Sequence, residues 1–564
     1  MKSNKIRAGI IIDAGPVPYL IYDLIEKSLD QDKYEFVAIF VQHNKNSPKN
    51  IISKLIDYVS RRGFKKFIES IFFAFIKKIE KIALIKFYNL GIIFQTKDIN
   101  SIDCKVIDVY PKISKSGIIY RFGDKDINKI KDLKIDVLVR GGSGILKGEI
   151  LNVCSKGILS FHHADNDINR GGPPGFWEVF YKQSSTGFII QKLSEELDGG
   201  KVIFKGSIRT TYFYLLNWAR ICIKANYFLN RELMKLNDDK FSQKKYIQKP
   251  YFNQLFTVPS LSNQIRYIFQ LLMTVLKKIW TKITFKKLIW GISYQFVEKW
   301  DNIVLRKSFK VKNTKNHFFA DPFASKFNNR NIVFFEDYNF IKNKASISAL
   351  EINSDKSYEL LGTVLEESFH LSYPYVFEYE NNLYMCPESH KNNDIRLYKC
   401  KEYPMKWEFE KVLIKNVCAG DTNIFYHNEK WWLFTNIDSS DLSKYVGDEH
   451  DSELHIYYAD NLHSEWKRHK DNPVIFDSNY ARNGGKILNQ DNILYRVYQT
   501  HDFETYGKGF GVAKITKLTT EDFEEVKLFQ VEPNFYKDIT GTHHFSFENN
   551  LAVFDHLSIR RKLK

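Results

Sequence analysis

The feature that most constrains the fold of this chain is a β-hairpin pattern that recurs in its second half. Each unit has a polar or proline-containing start, a short apolar strand, an Asn/Asp/Glu turn and a second, aromatic-rich strand. The clearest units are ADPFASKFNNRNIVFFED (320–337), YPYVFEYENNLYMCPES (373–389) and GDTNIFYHNEKWWLFTN (420–436), and looser ones lie at 482–499 and 542–555. Five small antiparallel sheets that start roughly 50–60 residues apart favour a five-bladed β-propeller. The competing interpretation is a β-sandwich with ordinary hairpins.

The first 210 residues have a different pattern, in which apolar strand-like runs alternate with helical ones. The runs IRAGIIID, YEFVAIFVQ, DVLVRGG and KGILSF are typical of buried parallel strands and predict an α/β sheet of the Rossmann-like kind. No GxGxxG follows the first strand, so a dinucleotide site is not expected. The predicted organisation is multidomain: an α/β domain over 1–210 with a helical insertion near 50–95, a basic helical linker over 211–295, and the propeller over 296–564.

The chain is basic, with 83 Lys+Arg against 66 Asp+Glu and a formal net charge of +17. Two segments, 51–90 and 261–290, carry most of the excess and mix their cations with Phe, Ile, Leu and Trp. Such a helix either lies on an anionic membrane surface or packs its apolar face on its own domain. Lys282 and Lys286 interrupt the apolar stripe of the second segment. Nucleic acid is not expected as a partner, because neither segment belongs to a nucleic-acid-binding module.

The cysteines and the N-terminal sequence favour a cytoplasmic protein, with peripheral contact at the inner face of the membrane as an open alternative. The six cysteines form no CxxC pair and no zinc-like spacing, which is typical of a reducing compartment. The first apolar run ends at Asp13 and is too short for a signal peptide. No run reaches the ~20 apolar residues of a membrane span.

The segment 156–203 holds an ordered set of motifs. His162 follows an apolar strand, a loop contains Arg170, Gly171, Pro174 and Trp177, Thr186-Gly187 opens a strand, and Asp198 precedes Gly199-Gly200. This set resembles the catalytic core of the folate-dependent formyltransferases that act on methionyl-tRNA, glycinamide ribonucleotide and nucleotide-linked amino sugars. The resemblance covers about 1–210, and Ser160 stands where the family has Asn.

The resemblance implies formyl transfer from 10-formyltetrahydrofolate to an amine. His162 and Asp198 would stabilise the oxyanion and accept the amine proton, with Ser160 in the place of the family's Asn and His163 as a neighbouring substitute. Gly141, Gly142, Gly199 and Gly200 would border the cofactor. Because a hydroxyl offers one donor on a short arm, we expect Ser160 to weaken the oxyanion contact.

A second set of candidates lies at the starts of the repeat units. The ADPF that contains Asp321 resembles the general-base motif of the family 43, 32 and 68 glycosidases, and Asp421 occupies the third unit's equivalent position. The fourth unit starts Ala481-Arg482-Asn483-Gly484-Gly485 and offers no acid, so Glu388 and Glu336 are the nearest substitutes. The absent acid argues against simple glycoside hydrolysis, which requires two carboxylates.

The array FADPF, SYPYVF, PES, AGDTNIF and GTHH resembles a bacterial family that fuses a formyltransferase-like domain to a propeller, and also the N-terminal region of plant glucosamine inositolphosphorylceramide transferases. The resemblance implies a polar funnel that grips a sugar or sugar phosphate. Its predicted residues are Asp321, Glu388, Asp421, Arg482, His543 and His544. No metal is assigned, since adjacent histidines on a strand point to opposite faces.

Three functions follow from these observations. The first is formyl transfer to the amine of a nucleotide-linked amino sugar in surface-glycan synthesis, with a propeller that binds or processes the glycan. The second is a glycosyltransferase or glycan-modifying enzyme that acts in the propeller, with a degenerate formyltransferase domain. The third is a non-catalytic carbohydrate-binding scaffold. The sugar, the acceptor and the oligomeric state stay open.

Overall fold

The structure is a computed structural model that describes residues 5–44, 51–196, 199–237, 246, 249–284, 286–440, 442–446, 449–503 and 505–561. The chain forms two compact units. Unit 1 comprises Met1–Thr274 and Ser440–Gly447, and unit 2 comprises Val275–Ser439 and Asp448–Lys564. The protein is therefore multidomain, and it is mostly β.

The elements of unit 1 follow one another along the first half of the chain, and a last short helix comes from the inserted segment Ser440–Gly447. They are β1 (Ile6–Asp13), β2 (Val17–Pro18), α1 (Tyr19–Leu29), β3 (Tyr34–Gln42), α2 (Ile51–Arg62), α3 (Phe64–Phe87), β4 (Thr96–Lys97), β5 (Lys105–Val109), β6 (Lys112–Ile113), β7 (Ile119–Arg121), α4 (Asp124–Lys131), β8 (Val137–Arg140), β9 (Ile145–Leu146), β10 (Ile158–His162), β11 (Arg170–Gly171), α5 (Phe176–Phe180), β12 (Ser185–Lys192), β13 (Lys201–Arg209), α6 (Tyr214–Lys235), β14 (Leu255–Phe256), α7 (Leu261–Ile283, which begins in this unit) and, much later in the chain, α8 (Ser443–Val446).

A seven-stranded sheet with the order β13-β12-β10-β8-β1-β3-β5 forms the centre of unit 1. The four strands predicted from apolar runs are β1, β3, β8 and β10, and each of them pairs in parallel with its neighbour in this group. Their side chains are almost wholly buried, as parallel strands covered on both faces require. The carboxyl ends of β8 and β10 meet at one edge of the sheet, which brings Gly141 and Gly142 to the same edge as His162.

Over the residues that the structure describes, the strands of unit 2 form five antiparallel sheets. The first four are β17–β20, β21–β24, β25–β28 with β29, and β30–β33, and the fifth joins β15 and β16 to β34, β35 and β36. The strands are β15 (Lys286–Phe296), β16 (Phe309–Lys310), β17 (His317–Phe327), β18 (Arg330–Asn339), β19 (Lys344–Ile352), β20 (Tyr358–Leu365), β21 (Ser372–Tyr379), β22 (Asn382–Glu388), β23 (Asp394–Glu402), β24 (Lys406–Lys415), β25 (Ala419–His427), β26 (Lys430–Ile437), β27 (Glu453–Ala459), β28 (Lys467–Arg468), β29 (Ile475–Phe476), β30 (Leu488–Gln490), β31 (Ile493–Thr500), β32 (Gly509–Leu518), β33 (Phe523–Val531), β34 (Ile539–Gly541), β35 (Phe545–Glu548) and β36 (Leu551–Arg561).

The fifth sheet ties the two ends of unit 2 together. β15 pairs with β36 over eleven residue pairs, from Lys286↔Arg561 to Phe296↔Leu551. Each predicted repeat unit contributes its hairpin to a different sheet of the five. That these sheets are the blades of one propeller stays a prediction.

The segment 211–295 differs from the predicted basic linker in two respects. α6 buries sixteen of its residues in unit 1, among them Arg220 and Lys224, so it belongs to the core of that unit. β15 is a strand of the fifth sheet, because its alternating side chains Ile292 and Tyr294 pack in the core of unit 2. Among the described residues, no helix combines the length and the apolar character that a membrane crossing requires.

Candidate functional site

The same backbone irregularity occurs at the start of the first strand in three successive sheets of unit 2. The ladder is interrupted between Ala320 and Phe323, between Ser372 and Tyr375, and between Gly420 and Asn423. Inside these interruptions Asp321, Tyr373 and Asp421 have φ values of 50°, 47° and 46°. A left-handed backbone at a non-glycine residue costs roughly 1–3 kcal/mol and is concentrated at functional sites. The repeat therefore places two acids and a tyrosine in equivalent, strained positions.

Tyr373 links these positions to the start of the fourth sheet. Its hydroxyl lies 2.8 Å from the carbonyl oxygen of Gly485 and 3.0 Å from the side-chain oxygen of Asn423, and it accepts a hydrogen bond from the Gly485 N–H at 3.0 Å. Gly485 has a φ of 145°, and a Cβ there would lie 1.8 Å from the carbonyl oxygen of Phe545. Glycine is thus the residue that this close backbone approach allows.

Asp421, Glu388 and Arg482 form one buried ionic network. The Arg482 Nε lies 2.5 Å from Asp421 Oδ2, and its Nη2 lies 3.6 Å from Glu388 Oε2. The backbone N–H of Asp421 donates to Glu388 Oε2 at 3.0 Å, and Gln499 Nε2 donates to Asp421 Oδ2 at 2.8 Å. Both carboxylates are buried, so the single guanidinium has to balance two acids in a region of low dielectric.

These surroundings shift the pKa values of the two neighbouring carboxyl groups, Asp421 and Glu388, in opposite directions. Burial raises the pKa of Asp421 to about 7; the charge of Arg482 opposes this rise and that of Glu388 adds to it. Burial also acts to raise the pKa of Glu388, but the hydrogen bond from His390 and the charges of His390, His450 and Arg482 outweigh it and hold that pKa well below its usual range. At neutral pH the pair thus offers one carboxyl that can hold a proton and one that is ionised.

A second cluster joins Asp321 to the fifth sheet. His543 Nδ1 lies 2.5 Å from Asp555 Oδ2, and His543 Nε2 lies 3.5 Å from Asp321 Oδ1. Trp290 stacks on the His543 ring with centroids 4.1 Å apart. Burial acts to lower the pKa of His543, but the charge and hydrogen bond of Asp555 outweigh it and raise that pKa to about 9. Burial raises the pKa of Asp321 well above its usual range.

The two clusters are connected through Tyr506. The Arg482 guanidinium lies over the Tyr506 ring at 5.2 Å, and the ring centroids of Tyr506 and His543 are 5.7 Å apart. The structure therefore brings the six residues predicted for the propeller together in one buried polar network. Their roles stay predictions.

The two adjacent histidines do not diverge as expected for neighbours on a strand. His543 and His544 precede β35, both donate their backbone N–H to Asp555 Oδ1, at 2.8 and 3.1 Å, and both rings approach Asp321 Oδ1, at 3.5 and 3.7 Å. The expected strand alternation does not apply here, because both residues lie between β34 and β35 and belong to neither strand. Burial lowers the pKa of His544 to about 3, so this ring is neutral.

Two groups of side chains have the composition and spacing of cation ligands. Glu388, His390 and His450 form one, and Asp321, His543 and Asp555 form the other; the candidate ligand atoms within each group lie within 4.8 Å of one another. Nitrogen and oxygen donors of this kind suit a divalent transition metal. The absence of a metal stays a prediction.

Among the contributors that sequence reasoning missed are Asp555, His390 and His450. Asp555 could have been found, because the acid at the end of the second hairpin strand recurs in FFE (Glu336), CPE (Glu388) and VFD (Asp555). The two histidines belong to no repeated pattern. His390 follows Glu388 by two residues in the sequence, whereas His450 reaches it only through the tertiary fold.

In unit 1 the predicted catalytic residues His162 and Ser160 each contact a backbone carbonyl of the same unit. His162 is buried at the end of β10, and its Nε2 lies 3.0 Å from the carbonyl oxygen of Asn169. The Ser160 hydroxyl donates to the carbonyl of Phe161 at 3.3 Å. Burial lowers the pKa of the neighbouring His163 to about 3. Asp198 lies outside the described residues.

The four glycines predicted to border a cofactor are crowded by protein atoms. A Cβ at Gly200 would lie 2.2 Å from the Lys192 carbonyl oxygen, and one at Gly199 would lie 2.3 Å from the Glu196 side chain. Gly141 and Gly142 face Ile21 and the backbone of Asp13, at 3.1 and 3.0 Å from such a Cβ. The backbone of Lys192 therefore accounts for glycine at position 200, and the role of the four glycines beside a cofactor stays a prediction.

Comparison with known proteins assigns similarity to the β-rich half. Residues 300–545 match the family described as glucosamine inositolphosphorylceramide transferase 1, N-terminal. The protein of that name from Oryza sativa subsp. japonica is 36% identical over 214 residues, which are 37% of this chain and 28% of the relative. The one from Arabidopsis thaliana is 34% identical over 229 residues, 40% of this chain and 29% of the relative. The chain thus spans less than a third of these relatives, whose names describe transferases.

Two solved structures show similarity to part of this chain. Glycinamide ribonucleotide transformylase 1 from Symbiobacterium toebii matches 42% of this chain and 90% of its own, with 9% identity and a TM-score of 0.29. A family 117 glycoside hydrolase produced by Zobellia galactanivorans matches 48% of this chain and 90% of its own, with 9% identity and a TM-score of 0.31.

Proposed function

We propose that unit 2 is a five-bladed propeller whose centre carries out glycosyl transfer, with an amino sugar of the glucosamine class as the transferred group. The similarity of residues 300–545 to proteins named as glucosamine transferases supports the sugar class. The observation that carries the proposal is the pair Asp421 and Glu388, two contacting carboxyl groups whose pKa values are pushed apart. Such pairs define the acid and the base of glycosyl chemistry.

Each member of the network has a role in this proposal. Asp421 donates its proton to the oxygen that leaves the sugar, and ionised Glu388 accepts the proton of the attacking hydroxyl. Arg482 holds both carboxylates in place and balances negative charge that develops on a phosphate leaving group. Asp321, which contacts His543 and His544, lies in the same network and provides a second acid whose pKa burial raises well above its usual range.

Direct assay of the full chain tests this proposal. Purified protein is incubated with nucleotide-linked amino sugars and hydroxyl acceptors, including inositol phosphates, and products are read by mass spectrometry. We expect Asp421→Asn and Glu388→Gln each to lower the rate at least 100-fold, the usual scale for losing a catalytic proton-transfer group. Asp301→Asn, an exposed carboxylate of the same unit, is the matched control and should retain full activity.

Formyl transfer from 10-formyltetrahydrofolate to an amino sugar is the second candidate and belongs to unit 1. The position of His162 at the carboxyl edge of the parallel strands favours it, because ligands of open α/β sheets bind at this edge. The binding of the folate to this unit stays a prediction. The test is the mass of an amino sugar incubated with the cofactor: a formyl product that disappears in His162→Ala supports this candidate.

A further inference from the structure

Helix α7 is amphipathic, but its apolar side faces solvent and its more polar side faces the protein. Ten of its apolar side chains occupy one arc of about 160° at 100° per residue. They are Ile265, Ile268, Phe269, Leu272, Met273, Val275, Leu276, Ile279, Trp280 and Ile283, and every one of them is exposed. The helix ends at Ile283, so Lys286 does not interrupt the stripe as the sequence suggested, and Lys282 lies beside it.

The opposite, more polar side of α7 is the one that packs on the protein. Gln264 and Tyr267 are its buried residues, and Gln264 Nε2 donates to the carbonyl oxygens of Glu69 and Pro259, at 2.8 and 2.7 Å. Tyr267 donates to the carboxylate of the buried Glu80. An amphipathic helix of a soluble domain buries its apolar stripe. Here that stripe, with Trp280 63% exposed, is left for another partner.

Helix α3 repeats this arrangement independently. One side buries Phe73, Ile76 and Leu84, together with Glu69 and Glu80. The opposite side carries Ile71, Phe75, Ile79 and Ile82, at i, i+4, i+8 and i+11, and each of these is more than half exposed. Single exposed apolar residues are normal, but continuous stripes on two long helices indicate an interaction surface.

The charges beside these apolar stripes indicate what kind of partner the two helices bind. α7 carries Arg266, Lys277, Lys278 and Lys282 and no acid, while both acids of α3 are buried. The exposed charge of the two helices is therefore wholly positive. A second copy of this chain would oppose cations with cations, whereas an anionic lipid surface accepts both the cations and the apolar side chains.

We propose that α7 and α3 each lie in the surface of an anionic lipid bilayer, with the apolar stripe among the acyl chains and the lysines at the headgroups. Trp280 suits the boundary between the two regions, where tryptophan is enriched. The proposal rests on these two helices alone, so it holds or fails separately from the reaction assigned to unit 2.

Flotation of the full chain with vesicles tests this. The protein should bind phosphatidylcholine vesicles that contain about 30% phosphatidylglycerol, and bind vesicles of phosphatidylcholine alone at least tenfold more weakly. Leu276→Ser/Ile279→Ser/Trp280→Ala should weaken binding to the anionic vesicles at least tenfold. Lys277→Gln/Lys278→Gln/Lys282→Gln should weaken it about 100-fold, at about 1 kcal/mol per lysine.

Matched controls distinguish binding through these two helices from non-specific adsorption to vesicles. Phe252→Ser and Ile341→Ser remove side chains that are more exposed than any in α7, and both should bind vesicles as the unchanged protein does. Because all of these substitutions are at exposed positions, circular dichroism should show unchanged folding. Vesicle binding that survives both triple variants would overturn the proposal. So would a protein that ignores anionic vesicles and instead forms a dimer abolished by the apolar triple variant.

Discussion

Replacement of Asp421 by Asn should stabilise the protein, and increasingly so as the pH rises. Asn has the shape of the protonated carboxyl, so it preserves the packing of Asp421 while removing the buried charge. In the folded protein burial and the charge of Glu388 raise the pKa of Asp421 to about 7 in spite of Arg482, against 3.8 as the ordinary value. Between these two values the native state binds more protons than the unfolded state, so stability falls as the pH rises from about 4 to about 7.

The size of this effect follows from the shift. One pKa unit corresponds to about 1.36 kcal/mol, so ionisation of Asp421 costs the folded protein about 4 kcal/mol at pH 8. The Asn variant avoids that cost. Its stability advantage over the unchanged protein should therefore grow by about 3 kcal/mol between pH 5 and pH 8.

Calorimetric unfolding at pH 5, 6, 7 and 8 measures this difference. For a unit of this size about 3 kcal/mol corresponds to roughly 6 °C in Tm. Asp301→Asn, which changes an exposed carboxylate, should show no such trend. A variant that is less stable than the unchanged protein at pH 8, or an advantage that does not change with pH, would refute the assignment of a destabilised carboxyl at this position.

Three further predictions concern unit 2. Asp555→Asn should lower the free energy of unfolding by about 3 kcal/mol more at pH 6 than at pH 9.5. The cause is the raised pKa of His543, about 9 against 6.5, which gives a stabilisation that is complete below pH 6.5 and is lost as the pH rises through 9. Calorimetry at both pH values checks this, and equal losses would contradict it. Arg496→Met should lower the free energy of unfolding by about 3–5 kcal/mol, because it leaves Glu525 unpaired in the core. Adding Glu525→Leu should recover most of this loss, as measured by urea unfolding. A double variant as unstable as the single one would contradict this reasoning. Gly485→Ala should abolish soluble expression, because its Cβ would meet the Phe545 carbonyl. Gly362→Ala, where nothing lies within 4 Å of an added Cβ, should remain soluble. Equal yields of the two variants would show that the close approach is absent.

The repeated hairpins and the apolar runs were sufficient to predict a mostly β, multidomain protein. Both signals are local: alternating residues mark a strand, and the same turn residues recur at each hairpin. The boundary near 296 was misplaced because β15 begins three residues after the basic helix α7 ends and pairs with β36, more than 250 residues away. A pairing of that sequence separation leaves no periodic trace in the strand itself.

The candidate site could be predicted only in part. The repeat pointed to Asp321 and Asp421 because their motifs sit at equivalent positions, and Arg482 because it stands where an acid was expected. The sequence did not show that Arg482 pairs with Asp421, or that His450 approaches Glu388. These contacts depend on how different sheets of unit 2 meet, and nothing in a hairpin's own sequence records its neighbour.

The measurement that tests the central claim most directly compares Asp421→Asn and His162→Ala in one assay, with nucleotide-linked amino sugars, hydroxyl acceptors and 10-formyltetrahydrofolate all present. The account predicts a glycosyl-transfer product that is lost in Asp421→Asn and retained in His162→Ala. A formyl product that is lost in His162→Ala and retained in Asp421→Asn, with no glycosyl transfer, would contradict the account and assign the activity to unit 1.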